Sequence, residues 1–325
     1  MSILVTGGLG YIGSHLTKVL RTNYNYDNII VVDNLSTGTT NNSKFCTFLN
    51  VDITDFNSLE TVFNDFKIDC VFHIAGKAFV KESFEKTNEY YNTNVLGTIN
   101  ILNLMVKYNV NKLVFSSSCA VYGNSNTFPI NENSPVNPIS PYGNTKRICE
   151  EIIQDYSKYK DINTIILRYF NVAGNDFECE VSDVSKNMGR IIPTIILKIM
   201  NDETIYINGN TYNTIDGTCS RTYIHVVDLA EAHVKCLQLL EGQKNSGVHT
   251  INVGTTKCYT ILEIIDIVEK KINKTANYCF NDKIEGDPDI VYCDNTLSKD
   301  LLQFEPKYDI GDIIDSCVKY LQIVK

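Results

Sequence analysis

Short apolar runs separated by amphipathic stretches set the rhythm of the first half of the chain. The runs at 3–6, 29–33, 47–49, 70–73, 112–116 and 163–168 are brief and rich in β-branched and aromatic residues. Runs of this length, apolar at successive positions, are expected as strands buried on both faces. Between them, 14–21, 58–66, 88–107 and 142–159 space their apolar residues three and four apart, which predicts helices with one buried stripe. Strands and helices alternating in this way predict βαβ units and a parallel sheet, hence an α/β fold of the doubly wound, Rossmann type. The rhythm breaks after about Val172. A polar stretch at 175–189 precedes an apolar helix around 191–197, a Gly/Asn/Asp-rich loop at 208–217 and smaller mixed elements. The expected organisation is a first domain over 1–172 and a smaller α+β domain over 173–325, with part of 208–255 packing back on the first.

Composition narrows the partners. A chain of 325 residues can bury a large core. Its net charge of −9 and the absence of any Lys/Arg run argue against a nucleic-acid or anionic-membrane surface. No apolar run approaches the roughly 18 residues of a membrane span. Eleven cysteines are scattered without a CxxC pair, and the first strand begins almost at the N-terminus with no export signal ahead of it. Free thiols in a cytoplasmic protein are expected. Five histidines with no HExxH spacing give no expectation of a metal.

Three stretches carry chemistry. Gly7-Gly-Leu-Gly10-Tyr-Ile-Gly13 follows the first strand and opens the first helix, placing glycines where a backbone turns tightly against a pyrophosphate. A plain turn would use the same glycines, and it is the strand before and helix after that favour a dinucleotide. Asp33 ends the second strand, about 20 residues beyond, where a carboxylate binds a ribose diol and repels a 2′-phosphate, favouring NAD. Asp52 closes the third strand and suits an adenine amino group or, equally, a helix cap. Next, Phe115-Ser-Ser-Ser-Cys-Ala-Val-Tyr-Gly123 ends a strand in three serines. Finally, Tyr142 and Lys146 lie at i, i+4 on one helical face, where a cation lowers the ordinarily high pKa of a phenol.

Together with Arg168-Tyr-Phe-Asn171 and Arg221-Thr-Tyr-Ile-His-Val-Val-Asp228, these motifs resemble the extended short-chain dehydrogenase/reductases, and among them most closely the UDP-glucose (UDP-galactose) 4-epimerases. The resemblance runs over nearly the whole chain. It implies an enzyme holding NAD tightly and interconverting UDP-glucose and UDP-galactose by transient oxidation at C4. It assigns proton exchange to Tyr142, a hydroxyl to Ser118 and phenolate stabilisation to Lys146. It implies cofactor contacts by Gly7, Gly10, Tyr11, Ile12, Gly13, Asp33, Asn34, Asp52, Ile53, Ala75, Gly76, Asn94, Ser116 and Tyr169, and by Tyr142 and Lys146 themselves. Substrate contacts fall to Asn171, Asn208, Arg221 and Asp287, besides Ser118 and Tyr142. Pairing of the 88–107 and 142–159 helices across a homodimer is implied, as is a place in galactose metabolism. The dehydratase and decarboxylase relatives carry carboxylates at the positions of Cys119 and Ala120, so the extra elimination step has no acid or base here.

The chain also departs from that pattern. No cation precedes Gly286-Asp287 in the place of a second phosphate-binding arginine, and Lys283 is one residue off. Arg190 stands where the family often has an Asn, and is expected to supply that charge. Lys77 is one residue early, with Ala78 in the slot of a phosphate-side lysine. Val291 takes the place of a gate tyrosine, which leaves UDP-N-acetylglucosamine as an alternative substrate. Thr222 replaces an acid, without evident reason.

Overall fold

In the computed structural model, residues 1–125, 127–183, 190–242, 247–284 and 287–324 are described. Positions 184–189 of the expected irregular stretch, and Glu285 and Gly286 of the expected phosphate-binding turn, lie outside them. Seven strands form one parallel sheet: β1 (Ser2–Thr6), β2 (Asn28–Asp33), β3 (Thr47–Asn50), β4 (Cys70–His73), β5 (Lys112–Ser118), β6 (Asn163–Tyr169) and β10 (Val248–Val253). Their order is β10-β6-β5-β4-β1-β2-β3. The order reverses between β1 and β4, and in such sheets ligands bind in the crevice outside the carboxyl ends at that point.

Strict alternation along the strands feeds two cores. Ile3, Val5, Val31, Phe72 and Leu167 face one layer, built from α1 (Tyr11–Thr22) and α8 (Val226–Gly242). Leu4, Val32, Val71, Phe115 and Ile166 face the other, built from α2 (Phe56–Asp65), α5 (Gly97–Lys107) and α6 (Pro141–Lys160). Because neither face is solvated, the strands read as continuous apolar runs.

Two short helices, α3 (Val80–Glu85) and α4 (Thr87–Tyr90), precede α5. The expected single helix over 88–107 is in fact interrupted: Tyr91–Leu96 forms a π-helical stretch between α4 and α5. Such widened turns concentrate at functional sites. The tight packing of Gly97 on Ile53, where any Cβ would overlap the Ile53 side chain, anchors the start of α5.

A further core gathers α7 (Ile191–Met200), α9 (Ile261–Ile272) and α11 (Ile310–Ile323) around β8 (Ile205–Asn208). β9 (Ser220–His225) pairs with β7 (Asn171–Ala173) and carries Arg221 towards the first sheet. The eleven cysteines are free thiols. Among the described residues no helix is long and apolar enough to cross a membrane.

Asp228, on the first turn of α8, is buried with 1% of its surface exposed. One oxygen accepts the amides of Lys307 and Tyr308 at 3.1 and 3.0 Å, and the other meets no donor among the described residues. Burial outweighs these bonds and raises its pKa to about 6. A carboxyl raised in the folded state favours folding below its unfolded pKa, near 4, and that contribution is lost as pH rises through about 6. Asp228→Asn is expected to remove this loss, roughly 2–3 kcal/mol between pH 4 and 7. The wild-type-minus-variant difference in urea unfolding at the two pH values measures it.

Candidate active site

A cleft of about 1310 Å³ crosses the carboxyl ends of the sheet and reaches over to α7 and β9. Its nucleotide end is the loop after β1. Gly7 has φ +68°, and a Cβ there would lie 2.8 Å from the Ala75 backbone. A Cβ on Gly13 would fall on the Gly7 carbonyl oxygen, and one on Gly8 would lie 2.5 Å from Val31. Gly10 caps α1 without a side chain, so the first amides of the helix, at Tyr11, Ile12 and Gly13, face the cleft unobstructed. Backbone this tightly folded, with a bare helix start above it, fits the pyrophosphate of a dinucleotide.

Asp33 and Asn34 line the cleft past the end of β2, with Asp52 and Ile53 beyond β3. Asp33 accepts the amides of Leu9 and Leu35 at 3.0 and 2.8 Å, which fixes its carboxylate at the rim of the glycine loop. Asp52 accepts Asn34 Nδ2 at 2.8 Å and both the amide and hydroxyl of Thr54. Burial alone would raise its pKa, but these bonds prevail and hold it below the ordinary value. Ala75 and Gly76 continue the wall after β4.

The chemical end is built where β5 meets α6. Ser140 caps α6, its hydroxyl accepting the Gly143 amide at 3.1 Å, and Pro141 begins the helix. Tyr142 and Lys146 thus project from the first turns towards the strand end, and both line the cleft with Ser118 and Tyr169. Ser118 stands beside the Tyr142 phenol, and its own hydroxyl accepts the Ala120 amide at 3.2 Å. Lys146 Nζ donates to the Ser116 carbonyl at 2.7 Å and stands 4.9 Å from the centre of the Phe115 ring. Burial pushes the Tyr142 phenol far above its ordinary value, the Tyr169 hydroxyl adds to this, and the neighbouring Ser118 hydroxyl opposes it. Burial also depresses the Lys146 ammonium, with Cys149 and Glu150 pulling it back up. Cys119 and Ala120 form the next part of the wall. Burial raises the Cys119 thiol to about 11, with Arg221 pulling it down, so neither position offers an ionised acid.

At the far end Asn171, Arg190, Asn208, Arg221 and Asp287 line the cleft. Arg221 is ion-paired with Asp287 at 2.8 Å, and Tyr212 donates to the same carboxylate at 3.0 Å. Asn171 Nδ2 donates to the Thr222 carbonyl at 3.1 Å. The Thr222 hydroxyl, in turn, donates to the Thr255 carbonyl at 2.6 Å, which gives that residue a local structural reason. Arg190 is ion-paired with Asp183 and lies flat over the Tyr11 ring, 3.5 Å from its centre. Tyr11 is itself tied by its hydroxyl to the Gly174 carbonyl at 2.6 Å. Lys283 is tied to Asp289 at 2.7 Å and to the Tyr212 ring, off the cleft wall, and Lys77 is paired with Glu89 at 2.8 Å.

Three expected site residues stand off the wall. Asn94 is buried behind it, where its amide accepts the Lys77 amide at 2.8 Å and donates to the Lys77 carbonyl and to Thr145. It therefore shapes the turn after Gly76 instead of lining the cleft. Ser116 is covered by Lys146 on one side and reaches His233 on the other, at 3.2 Å. Val291 pairs with Arg221 across β9 and packs beside Val121, Tyr122, Ile130, Phe170 and Cys293. The motifs did not reveal Asp183, Cys219 or Tyr223 on the wall, which tertiary contact alone brings there.

Residues 3–254 match the NAD dependent epimerase/dehydratase family. The chain belongs to that family. It is 37% identical over 317 residues to the UDP-glucose 4-epimerase of Rhizobium meliloti (strain 1021), covering 97% of this chain and 95% of that protein. The crystal structure of UDP-glucose 4-epimerase from Brucella ovis in complex with NAD has a TM-score of 0.93 at 34% identity, covering 98% of both chains. The enzyme of the same name from Bifidobacterium longum, in complex with NAD+ and UDP, has a TM-score of 0.92 at 31% identity, covering 99% of this chain and 98% of that one. These two solved structures share the fold of this chain over nearly its whole length.

Proposed function

We propose that this chain is a UDP-sugar 4-epimerase that interconverts UDP-glucose and UDP-galactose with bound NAD. The observation that carries the reading is Ser118 and Tyr142 together on the wall of a dinucleotide cradle, with Cys119 and Ala120 beside them where an elimination would require a carboxylate. NAD, when bound, supplies the acceptor and donor for the hydrogen at C4. Tyr142 takes the proton of the 4-hydroxyl and returns it, and Ser118 bonds the same oxygen. Lys146 holds positive charge next to the phenol, against the burial that otherwise forbids a phenolate. In this reading the 1–172 part and the strand β10 hold the cofactor, and the remainder holds the nucleotide sugar. A homodimer in the cytoplasm, acting in galactose metabolism, completes the proposal; Leu96 and Val106, exposed beside α5, are suited to an interface between copies.

Incubation of the purified protein with UDP-galactose, without added NAD, is expected to yield UDP-glucose by NMR. Recovery of unchanged sugar from protein that retains NAD would reject the reading, and a keto-deoxy product would favour a dehydratase. Of the two arginines, Arg221 is assigned the UDP phosphates. Both arginines are ion-paired, Arg221 with Asp287 and Arg190 with Asp183, but Arg190 also packs on the Tyr11 ring, 3.5 Å from its centre, so it is expected to act on the sugar nucleotide more weakly. Arg221→Ala is expected to raise KM for the UDP-sugar about 100-fold and Arg190→Ala less than about tenfold, in keeping with the loss of a charge-assisted phosphate contact. The reverse order would reverse the assignment.

A further inference from the structure

The three serines that end β5 meet a single stripe of α6. Tyr142, Lys146 and Glu150 follow one another at four-residue spacing and therefore stand in line on one helical face. Each meets a different serine: Tyr142 stands beside Ser118 on the cleft wall, Lys146 donates to the Ser116 carbonyl, and Glu150 accepts the Ser117 hydroxyl at 2.5 Å. The first two contacts belong to the site already described. The third lies behind it, with Ser117 fully buried and Glu150 only 2% exposed.

A carboxylate at that depth requires a partner. Arg168 provides one, through Nε at 2.9 Å and Nη2 at 2.5 Å, one nitrogen on each oxygen. It sits on β6 directly opposite Ser117 in the strand register. Its other arm donates to the Tyr122 hydroxyl at 3.1 Å, and Tyr122 donates to Asn252 of β10 at 2.7 Å. β5, β6, β10 and the turn after β5 thus converge on a residue one helical turn beyond Lys146.

We propose that Glu150 and Arg168 are positioning residues for the reaction: they lock the register of α6 against β5, so that Tyr142 and Lys146 meet Ser118 and Ser116 in one geometry, and the Glu150 carboxylate balances the Lys146 ammonium. The proposal rests on the reading of Tyr142 as the group that exchanges a proton with the sugar. Directional bonds on a helix face resist the sliding that an apolar contact would allow, and a displacement of about 1 Å at reacting groups can cost on the order of 100-fold in rate. The groups facing Lys146 are Cys149 and Glu150 of its own helix, Ser116 and Phe115 of β5, and His73 of β4. Burial lowers the His73 pKa to about 3 and keeps the ring neutral, and the Cys149 thiol is raised, so Glu150 is the anion in that set. Loss of its charge makes Lys146 easier to deprotonate, whereas loss of the Arg168 charge has the opposite sign.

The test compares holoenzyme carrying Ser117→Ala, Glu150→Gln or Arg168→Met with wild type, by steady-state kinetics over a range of pH, calorimetric affinity for UDP and thermal unfolding. Ser117→Ala is expected to lower kcat about tenfold with KM and UDP affinity within about twofold, as a loss of alignment and not of binding. Glu150→Gln is expected to move the alkaline limb of kcat to lower pH, and Arg168→Met to higher pH. Variants that lose only thermal stability, with kcat per folded molecule and both limbs unchanged, overturn the proposal. Where the charge variants do not fold, Ser117→Ala decides alone, because it strands no charge. Absence of turnover by the wild type overturns the functional reading, and this proposal with it; an active wild type with indifferent variants overturns this proposal only.

Discussion

Tyr142→Phe is expected to lower kcat for UDP-galactose conversion about 1000-fold, within the range contributed by a positioned acid–base group. The substitution keeps the ring, which is 6% exposed and packs edge-on against Tyr90 with centres 6.4 Å apart. Only the hydroxyl beside Ser118 on the cleft wall is lost. Thermal unfolding and UDP affinity are therefore expected to stay near wild type, and the whole effect to appear in kcat. The direction of the phenol shift adds a second expectation. Burial opposes ionisation, so on the proposed mechanism a phenolate requires positive charge close by, which Lys146 on the same helical face would supply. Lys146→Met should accordingly lose most of the same activity, with a steeper demand for alkaline pH. A Tyr142→Phe enzyme retaining more than about a tenth of wild-type kcat, far above the residue of a lost acid–base group, would remove Tyr142 from the chemistry.

Gly13→Ala is expected to abolish NAD retention, by about 100-fold or more in affinity, and to cost roughly 1–3 kcal/mol of stability through overpacking. The added methyl would fall on the Gly7 carbonyl and lie 2.7 Å from Gly8 Cα. Both are backbone atoms in a loop already tied by the Gly7 amide to the Val32 carbonyl at 2.8 Å, so neither can swing aside. Gly10→Ala is the control for overpacking alone, since a Cβ there comes no closer than 3.4 Å to the Gly7 carbonyl and stability is expected to be spared. Cofactor released on denaturation and the unfolding midpoint read the two effects separately. A Gly13→Ala protein that purifies with a full complement of NAD would show that the cradle tolerates opening.

Much of the architecture was legible because it is local. A strand buried on both faces must be apolar at every position, and a helix on a sheet must repeat its apolar residues every three or four, so 70–73 and 142–159 declared themselves. The glycine loop was legible through its spacing, since the approach of Gly13 to Gly7 lies within seven residues, whereas Ala75 against Gly7 and Val31 against Gly8 came only with the fold. The Tyr142–Lys146 face was legible too, since it needs only the helical period. The helix over 88–107 was less so: a π-helical stretch leaves the apolar spacing almost intact, and the packing of Gly97 on Ile53 is set by a residue more than forty positions away.

The serines of β5 mark the boundary most clearly. The sequence by itself determined that a strand ends in three hydroxyls and that a Tyr–Lys pair follows on a helix, because both statements concern neighbours along the chain. Only the tertiary structure decided that each serine has its own partner on that helix, that Glu150 and Arg168 close the set, and that Asn252, 130 residues from Tyr122, completes it. It decided likewise that Arg190 is held by Asp183 and Tyr11, and that Asn94 stands behind the wall of the cleft. Charge and hydrogen-bonding capacity are properties of a residue and can be read in order. Which of them are spent on one another depends on the register between strands and helices, and that exists only once the chain has folded.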